Sequence, residues 1–324
     1  AFVRKGVHFI LMNDVRLEGR SGYEGGLTER QKVWLARTLR NTPRRAVTVF
    51  ATHIPFYEIS GTDTLAAILE GRSHLLSVSG HTHYVRRHSL RLPCAGTRRQ
   101  TVSDNDGRDD ADLLCYAGTG RHTAGDADRR PLAGTRKPVA SDSVIIDELV
   151  AGAACGTWWR GPADRFGIPV ATMGCGAPRG YFVADFTRRN YRVAFKVVGE
   201  DESLQASAAF LQEEQKLVIN CFAGHEDGAL EVLTSEGWKK LARVSRKAPE
   251  VETVLEYNRT LDREQRKTLG REYLPMLSRN SPHIWEVSLS PEEFVYFEKI
   301  SSTGFITIRY SDATMNFTAK AKIL

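Results

Sequence analysis

The chain has 324 residues, of which 41% are hydrophobic and 26% are charged, as in an ordinary globular protein with room for two domains. Its net charge of +6 is mildly basic, but the arginines are scattered in small groups such as Arg44-Arg45 and Arg188-Arg189. We therefore expect no nucleic-acid partner, and the absence of any apolar run of about 18 residues predicts no transmembrane segment. The five cysteines include no CxxC pair, which argues against a zinc ribbon or a redox dithiol.

The first part of the chain alternates between strand and helix patterns. The apolar run 7–12 predicts a strand buried on both faces. Thr28 and Gln31 form a capping-box signature at the start of a helix whose inner face carries Trp34, Leu35 and Leu39. The further predicted elements are a strand at 46–50, a short helix at about 63–71 and a strand at 74–79. This alternation indicates an α/β layer architecture.

The rest of the chain changes character twice. Residues 96–142 are polar, with little apolar periodicity, and predict a long surface insertion. From Val144 onward the pattern is mostly β, with a hairpin at about 229–244 and one helical segment near 261–273. We therefore predict an α+β protein whose second domain, 199–324, is a small β-sandwich. The first domain would be 1–198, although its boundary could lie as early as about 150.

Three histidines follow predicted buried strands. His53 lies in Thr52-His53-Ile54-Pro55, and His81 and His83 lie in Gly80-His81-Thr82-His83. In a parallel sheet, the carboxyl ends of neighbouring strands meet at one edge, which is where ligands gather. Neutral imidazole is a good ligand for zinc, iron or manganese, so the pattern predicts a metal site. Taken alone, the second motif could equally be a turn with two surface histidines.

The other histidines lack this placement, and we interpret them as structural or surface residues. The stretch 224–228, which includes His225, Glu226 and Asp227, has a metal-like composition but fits better as a polar β-turn. The acidic stretch 104–110 lacks the spaced ligands and closing Glu of a calcium loop, so we interpret it as a solvated loop.

These motifs resemble a known family. The histidine before Pro55 and the GHTH at 80–83 resemble the last two metal motifs of the calcineurin-like phosphoesterases, and the helix with Gln31, Trp34 and Leu35 resembles their QxxWL segment. Further along, 152–159, 167–169, 176–181 and 281–285 resemble a bacterial subgroup that has a dedicated C-terminal domain.

The resemblance implies part of a four-layer α/β/β/α sandwich that holds two divalent or trivalent metal ions (Mn, Fe or Zn). By the family pattern, His53 and His81 would bind one metal and His83 the other. A metal-bound hydroxide would then attack the phosphorus of a phosphate ester in line. The subgroup is typically exported, so we expect a periplasmic, secreted or cell-surface location.

The sequence departs from the family pattern in its ligand set. It contains no DxH and no GNH motif, and Gly125-Asp126-Ala127-Asp128 is only a partial echo of GDxxD in the wrong order. We therefore expect the chain to be a C-terminal piece of a longer protein. Without the bridging carboxylate, this piece alone should bind metal weakly and hydrolyse phosphate esters poorly.

Two other interpretations differ in class. The chain could be a non-catalytic binding protein on a degenerate phosphoesterase scaffold, with Trp158 and Trp159 gripping a ligand, although a Trp pair more often packs in a core. A zinc hydrolase of another fold with a three-histidine site needs no missing segment. That second interpretation does not account for the similarities after residue 150.

Overall fold

The computed structural model describes residues 1–20, 22–94, 143–154, 172–268 and 279–324. In the N-terminal part the elements are β1 (Phe2–Arg4), β2 (Val7–Leu11), β3 (Val15–Glu18), β4 (Gly22–Gly25), α1 (Glu29–Arg40), β5 (Thr48–Ala51), a 3-10 turn (Phe56–Glu58), α2 (Thr62–Leu69), β6 (Leu75–Ser79), β7 (Val85–Pro93) and β8 (Ser143–Ala151). They are followed by β9 (Gly180–Phe186), β10 (Tyr191–Val197), β11 (Leu204–Leu211), β12 (Lys216–Cys221), β13 (Ala229–Thr234), β14 (Gly237–Lys240), β15 (Ala242–Arg246), α3 (Pro249–Thr260), α4 (Arg263–Thr268), β16 (Ser281–Ser288), α5 (Pro291–Ser301), β17 (Phe305–Ser311) and β18 (Asn316–Ile323). Among these helices, none is long and apolar enough to cross a membrane.

The first sheet has six strands in the order β1-β2-β5-β6-β8-β7. Strands β2, β5, β6 and β8 run parallel, whereas the edge strands β1 and β7 run antiparallel to their neighbours. The expected alternation of strands and helices is therefore confirmed. Because β5 and β6 are adjacent and parallel, their carboxyl ends lie side by side.

Helix α1 begins where the sequence predicts it. The Thr28 side chain accepts a hydrogen bond from the Gln31 backbone N–H, and the Gln31 side chain accepts one from the Thr28 N–H, so the capping box is complete. Leu35 and Leu39 are buried in a cluster with α2 and one face of the first sheet. Trp34 was expected on the inner face, but 38% of its surface is exposed, because Leu35 and Leu39 alone carry the buried stripe.

Strand β2 was expected to be buried on both faces, and this is wrong at its end. Val7 and Ile10 are buried, but 57% of the surface of Leu11 is exposed. The pairs between β1 and β2 stop at Phe9, so Leu11 extends past the part of β2 that the edge strand covers.

The other face of the first sheet packs against the hairpin formed by β9 and β10. Val49, Leu76 and Leu149 of the sheet share one buried cluster with Val193 and Phe195 of the hairpin. The same cluster continues into the C-terminal strands, where its members include Leu217, Ile219, Trp285, Ile308 and Tyr310. The N-terminal and C-terminal parts of the described chain are therefore joined by a continuous hydrophobic core.

The C-terminal strands form one eight-stranded sheet in the order β14-β13-β17-β18-β11-β12-β16-β15, not the two sheets of the predicted sandwich. The halves join because β11 pairs in parallel with β18 and antiparallel with β12. Strands β16 and β17 are four spacings apart, about 19 Å in a flat sheet. Yet the rings of Trp285 and Tyr310 are only 5.9 Å apart, so the sheet curls around its core.

The helical segment expected near 261–273 is confirmed over its described residues as α4, whereas α3 and α5 were not predicted. Helix α5 begins with a capping box between Ser290 and Glu293 that was not predicted from the sequence. The hairpin expected at about 229–244 is confirmed as β13 and β14.

The expected α+β class is confirmed, since the structure is strand-rich with few helices. The insertion 96–142 lies entirely outside the described residues. The domain limits 1–198 and 199–324 stay predictions. In the described chain, the last strand before residue 199 is β10, and the first strand of the eight-stranded sheet is β11.

Candidate metal site

His53 and His81 lie together at one edge of the first sheet. His53 follows β5, and His81 follows β6, at the adjacent carboxyl ends of these parallel strands. The Nε2 atom of His53 is 3.2 Å from the Nδ1 atom of His81, and their rings are 5.0 Å apart at an angle of 73°. The backbone also joins the two turns, because the Gly80 N–H donates a hydrogen bond of 3.1 Å to the His53 carbonyl.

This spacing fits two ligands of one metal ion. Nitrogen ligands about 2.0–2.1 Å from an ion and at the tetrahedral angle are about 3.3 Å apart. The distance of 3.2 Å between the two imidazole nitrogens matches that geometry. His53 and His81 could therefore hold one ion between them.

The GHTH turn has an unusual backbone. His81 and His83 both have positive φ angles, 65° and 57°, in the left-handed region that non-glycine residues seldom adopt. Such conformations cost about 1–3 kcal/mol each and persist where the surrounding structure imposes them, often at functional sites. The turn therefore holds its two histidines in directions that an ordinary loop would not select.

A carboxylate faces the other side of the His81 ring. Oε2 of Glu58 is 4.0 Å from Nε2 of His81, so Nδ1 faces His53 while Nε2 faces an acid. Carboxylates behind metal-bound histidines fix the ring tautomer and orientation. His81, Glu58, Tyr23 and Ile54 line an open cleft of about 330 Å³, and Tyr23 meets the His81 ring edge-on at 5.6 Å. A small ligand can reach His81 through this cleft.

Asp14 holds the backbone of the His53 turn. Its side chain is fully buried, and its carboxylate accepts hydrogen bonds from the His53 N–H at 3.0 Å and from the Ile54 N–H at 3.1 Å. This role of Asp14 was not predicted from the sequence. The available signal was the position of Asp14, which follows β2. Strand β2 is the neighbour of β5, the strand that leads to His53.

A second buried carboxylate supports the next residues. Glu148 of β8 accepts a hydrogen bond from the Phe56 N–H, and its other oxygen is 3.1 Å from Nε2 of His88. Both side chains are buried, and the ring of Tyr57 lies 5.3 Å from that of His88. Residues from three separate segments thus fix the turn from His53 to Tyr57. His88 was interpreted as a structural residue, and this contact agrees with that interpretation.

His83 is not part of a tight group of three with the other two histidines. Among the described residues, three metal-capable side chains with all ligand atoms within 4.8 Å occur at His225, Glu226 and Asp227. That stretch forms the predicted turn: the Gly228 N–H donates to the His225 carbonyl, and Glu226 already accepts a hydrogen bond from the Ser89 N–H at 2.8 Å. His53, His81 and His83 as a set of metal ligands stay a prediction.

The C-terminal part forms a buried ion pair and a hydrogen bond with β7, the strand that follows the GHTH turn. Arg87 of β7 donates to both carboxylate oxygens of Asp312 at 2.8 and 3.1 Å and to the Ala223 carbonyl at 2.8 Å. Both side chains of the ion pair are only 3% exposed. Burial raises the pKa of Asp312, but the hydrogen bond and charge of Arg87 outweigh it and leave the pKa below its ordinary value.

Comparison with known proteins gives one match. Residues 148–300 match the family model of the C-terminal part of calcineurin-like phosphoesterases, a range that includes the resembling segments 152–159, 167–169, 176–181 and 281–285. His53, His81 and His83 precede the matched range. Trp158 and Trp159 lie outside the described residues. No curated protein and no solved structure matched the chain. Residues 148–300 are therefore similar to the C-terminal part of calcineurin-like phosphoesterases, which is consistent with the resemblance of the preceding histidine motifs to that family.

Proposed function

We propose that this protein hydrolyses phosphate esters with the help of two divalent or trivalent metal ions, manganese, iron or zinc. His53 and His81 are proposed to hold one ion and His83 the other. The main support is the distance of 3.2 Å between the imidazole nitrogens of His53 and His81 at the ends of adjacent parallel strands. The proposal includes the four-layer α/β/β/α arrangement, in which the first sheet with α1 and α2 would form two layers.

The protein residues have separable roles in this proposal. When bound, the ions supply an activated water molecule and positive charge for the phosphoryl oxygens. Asp14 and Glu148 hold the backbone around His53, and Glu58 places a carboxylate 4.0 Å from Nε2 of His81. The cleft beside His81 admits the ester.

The ligand set proposed here needs carboxylate and amide ligands that the sequence does not contain in the family's motifs. Two cations held by three histidines alone would be poorly neutralised and under-coordinated. We therefore propose that these 324 residues act as part of a longer protein and have little activity alone. A periplasmic, secreted or cell-surface location is part of the same proposal.

The test uses the protein encoded by the complete gene and compares His81→Ala with His74→Ala. His74 is an exposed histidine that also has a positive φ, 57°, but lies at the start of β6, away from the site. Elemental analysis should find close to two metal ions per chain in the parent and in the His74 variant. Hydrolysis of p-nitrophenyl phosphate should fall at least about 100-fold in the His81 variant, since even residues behind a metal ligand are worth 10–100-fold.

Full activity in the His81→Ala protein, or a parent protein that purifies without metal and stays inactive after metal is added, would contradict the proposal. Appreciable activity of residues 1–324 alone, abolished by His81→Ala, would contradict only the need for a longer protein.

A further inference from the structure

Two tyrosines and two arginines form a linked group beside the predicted metal ligands. The hydroxyl oxygens of Tyr57 and Tyr84 are 2.6 Å apart. The guanidinium carbon of Arg86 lies 4.7 Å from the centre of the Tyr57 ring, and that of Arg279 lies 5.9 Å from the centre of the Tyr84 ring. We call these four residues the arginine–tyrosine group.

The covalent chain places this group next to the site. Tyr84 directly follows His83, so their Cα atoms are about 3.8 Å apart. Arg86 comes three residues after His83, which limits that Cα distance to about 11 Å. Tyr57 directly precedes Glu58, whose carboxylate faces His81. Arg86 is therefore close to His83 along the chain, and Arg279 contacts the residue that directly follows His83.

No carboxylate among the described residues neutralises the positive charges of Arg86 and Arg279. Within the described ranges, neither Arg86 nor Arg279 forms an ion pair with a carboxylate. Glu58, the nearest acid in sequence, faces His81 at 4.0 Å. Burial and the contact with Tyr84 raise the pKa of Tyr57 above its ordinary value, so Tyr57 stays neutral. The two guanidinium groups lie over tyrosine rings, which leaves their N–H donors available for an anion.

The two arginines come from different parts of the chain. Arg86 belongs to β7 of the first sheet, on the same face as His88, whereas Arg279 precedes β16 of the eight-stranded sheet. Just beyond it, buried His283 of β16 makes hydrogen bonds with Asn220 and Ser281 and lies against the backbone of Val85. This packing keeps the start of β16 beside the strand that leaves the GHTH turn.

We propose that Arg86 and Arg279 bind a second anionic group of the substrate, so that the preferred ester carries a phosphate on its leaving portion. The inference rests on the proposed phosphoesterase function for the reacting phosphate, but the anion subsite itself consists only of the arginine–tyrosine group. The C-terminal region thereby contributes directly to substrate selection through Arg279.

The first test measures binding of inorganic pyrophosphate to the metal-free chain by isothermal titration calorimetry. Arg86→Ala and Arg279→Ala should each weaken binding about tenfold, because each removes charge-assisted hydrogen bonds to the anion. Arg91→Ala removes a cation from an exposed position of the same strand β7 and should leave the affinity unchanged. Arg86→Lys keeps the charge without the planar fork and should give an intermediate affinity, which guards against misfolding of the alanine variant.

The second test uses the protein encoded by the complete gene. Both alanine variants should raise KM for an alkyl bisphosphate about tenfold, while KM for p-nitrophenyl phosphate stays as in the parent. Pyrophosphate binding that is absent, or that is equally strong in the parent and both arginine variants, overturns the subsite. Because His81→Ala does not touch the group, arginine-dependent pyrophosphate binding in that variant supports the subsite even if the phosphoesterase proposal fails.

Discussion

Replacement of Asp14 by alanine tests whether a buried carboxylate builds the His53 turn. The carboxylate is fully buried and accepts hydrogen bonds from the N–H groups of His53 and Ile54. Hydrogen bonds to charged groups contribute about 1.5–3 kcal/mol each, so the loss of two predicts a destabilisation of about 3–6 kcal/mol. Asp14→Asn keeps one acceptor oxygen but turns an amide N–H towards a backbone N–H, so its destabilisation should be about half that of Asp14→Ala.

Urea unfolding followed by tryptophan fluorescence measures this loss, with Asp185→Ala as the control. Asp185 is an exposed strand residue, and its replacement should change the unfolding free energy by less than about 0.5 kcal/mol. Because the turn carries a predicted metal ligand, Zn²⁺ affinity should also fall about 10–100-fold in Asp14→Ala. Equal unfolding midpoints for the Asp14 and Asp185 variants would refute this account of the turn.

Two further predictions concern buried charges. Burial raises the pKa of Glu250 from its ordinary value of 4.5 to about 7, with Ser207 and Asn220 as its hydrogen-bond partners, so the folded state retains a proton that the unfolded state releases. The proton bound by Glu250 contributes its full stabilisation of the folded state below pH 4.5, and this stabilisation is lost as pH rises through 7. Glu250→Gln should therefore add about 3 kcal/mol to the unfolding free energy near pH 8 and almost none near pH 4. An equal gain at both pH values would contradict this. Arg87→Met should cost about 3–5 kcal/mol in urea unfolding because it leaves the Asp312 charge buried and unpaired, and the double variant with Asp312→Asn should recover part of the loss; a double variant as unstable as the single one would contradict the charge argument.

Local sequence patterns predicted the parts of the structure that depend on neighbouring residues. The Thr28 capping box, the strands before His53 and His81 and the β13–β14 hairpin are all set within a few positions of the chain. The adjacency of His53 and His81 followed from one further rule, that the strands joined by a short helix lie parallel and side by side.

Contacts between distant residues could not be predicted in this way. Arg87 and Asp312 are 225 positions apart, and nothing in their local sequence shows that they pair. The predicted β-sandwich failed for the same reason. The pattern of strands and turns does not show that β11 pairs in parallel with β18, which lies about 110 positions later in the chain. The capping box at Ser290 was a local signal for α5 that the strand pattern around it obscured.

The position of β7 explains why a phosphoesterase site would depend on the C-terminal region. The strand begins at Val85, two residues after His83, and is the last strand of the first sheet, where it pairs with β8. An edge strand with one partner is held weakly unless its open side is covered. Here Glu226 accepts a hydrogen bond from the Ser89 N–H, and Arg87 is fixed by Asp312. The C-terminal region therefore supports the open side of β7, the strand that follows His83. Loss of these two contacts should loosen the GHTH turn before it disturbs β5 or β6.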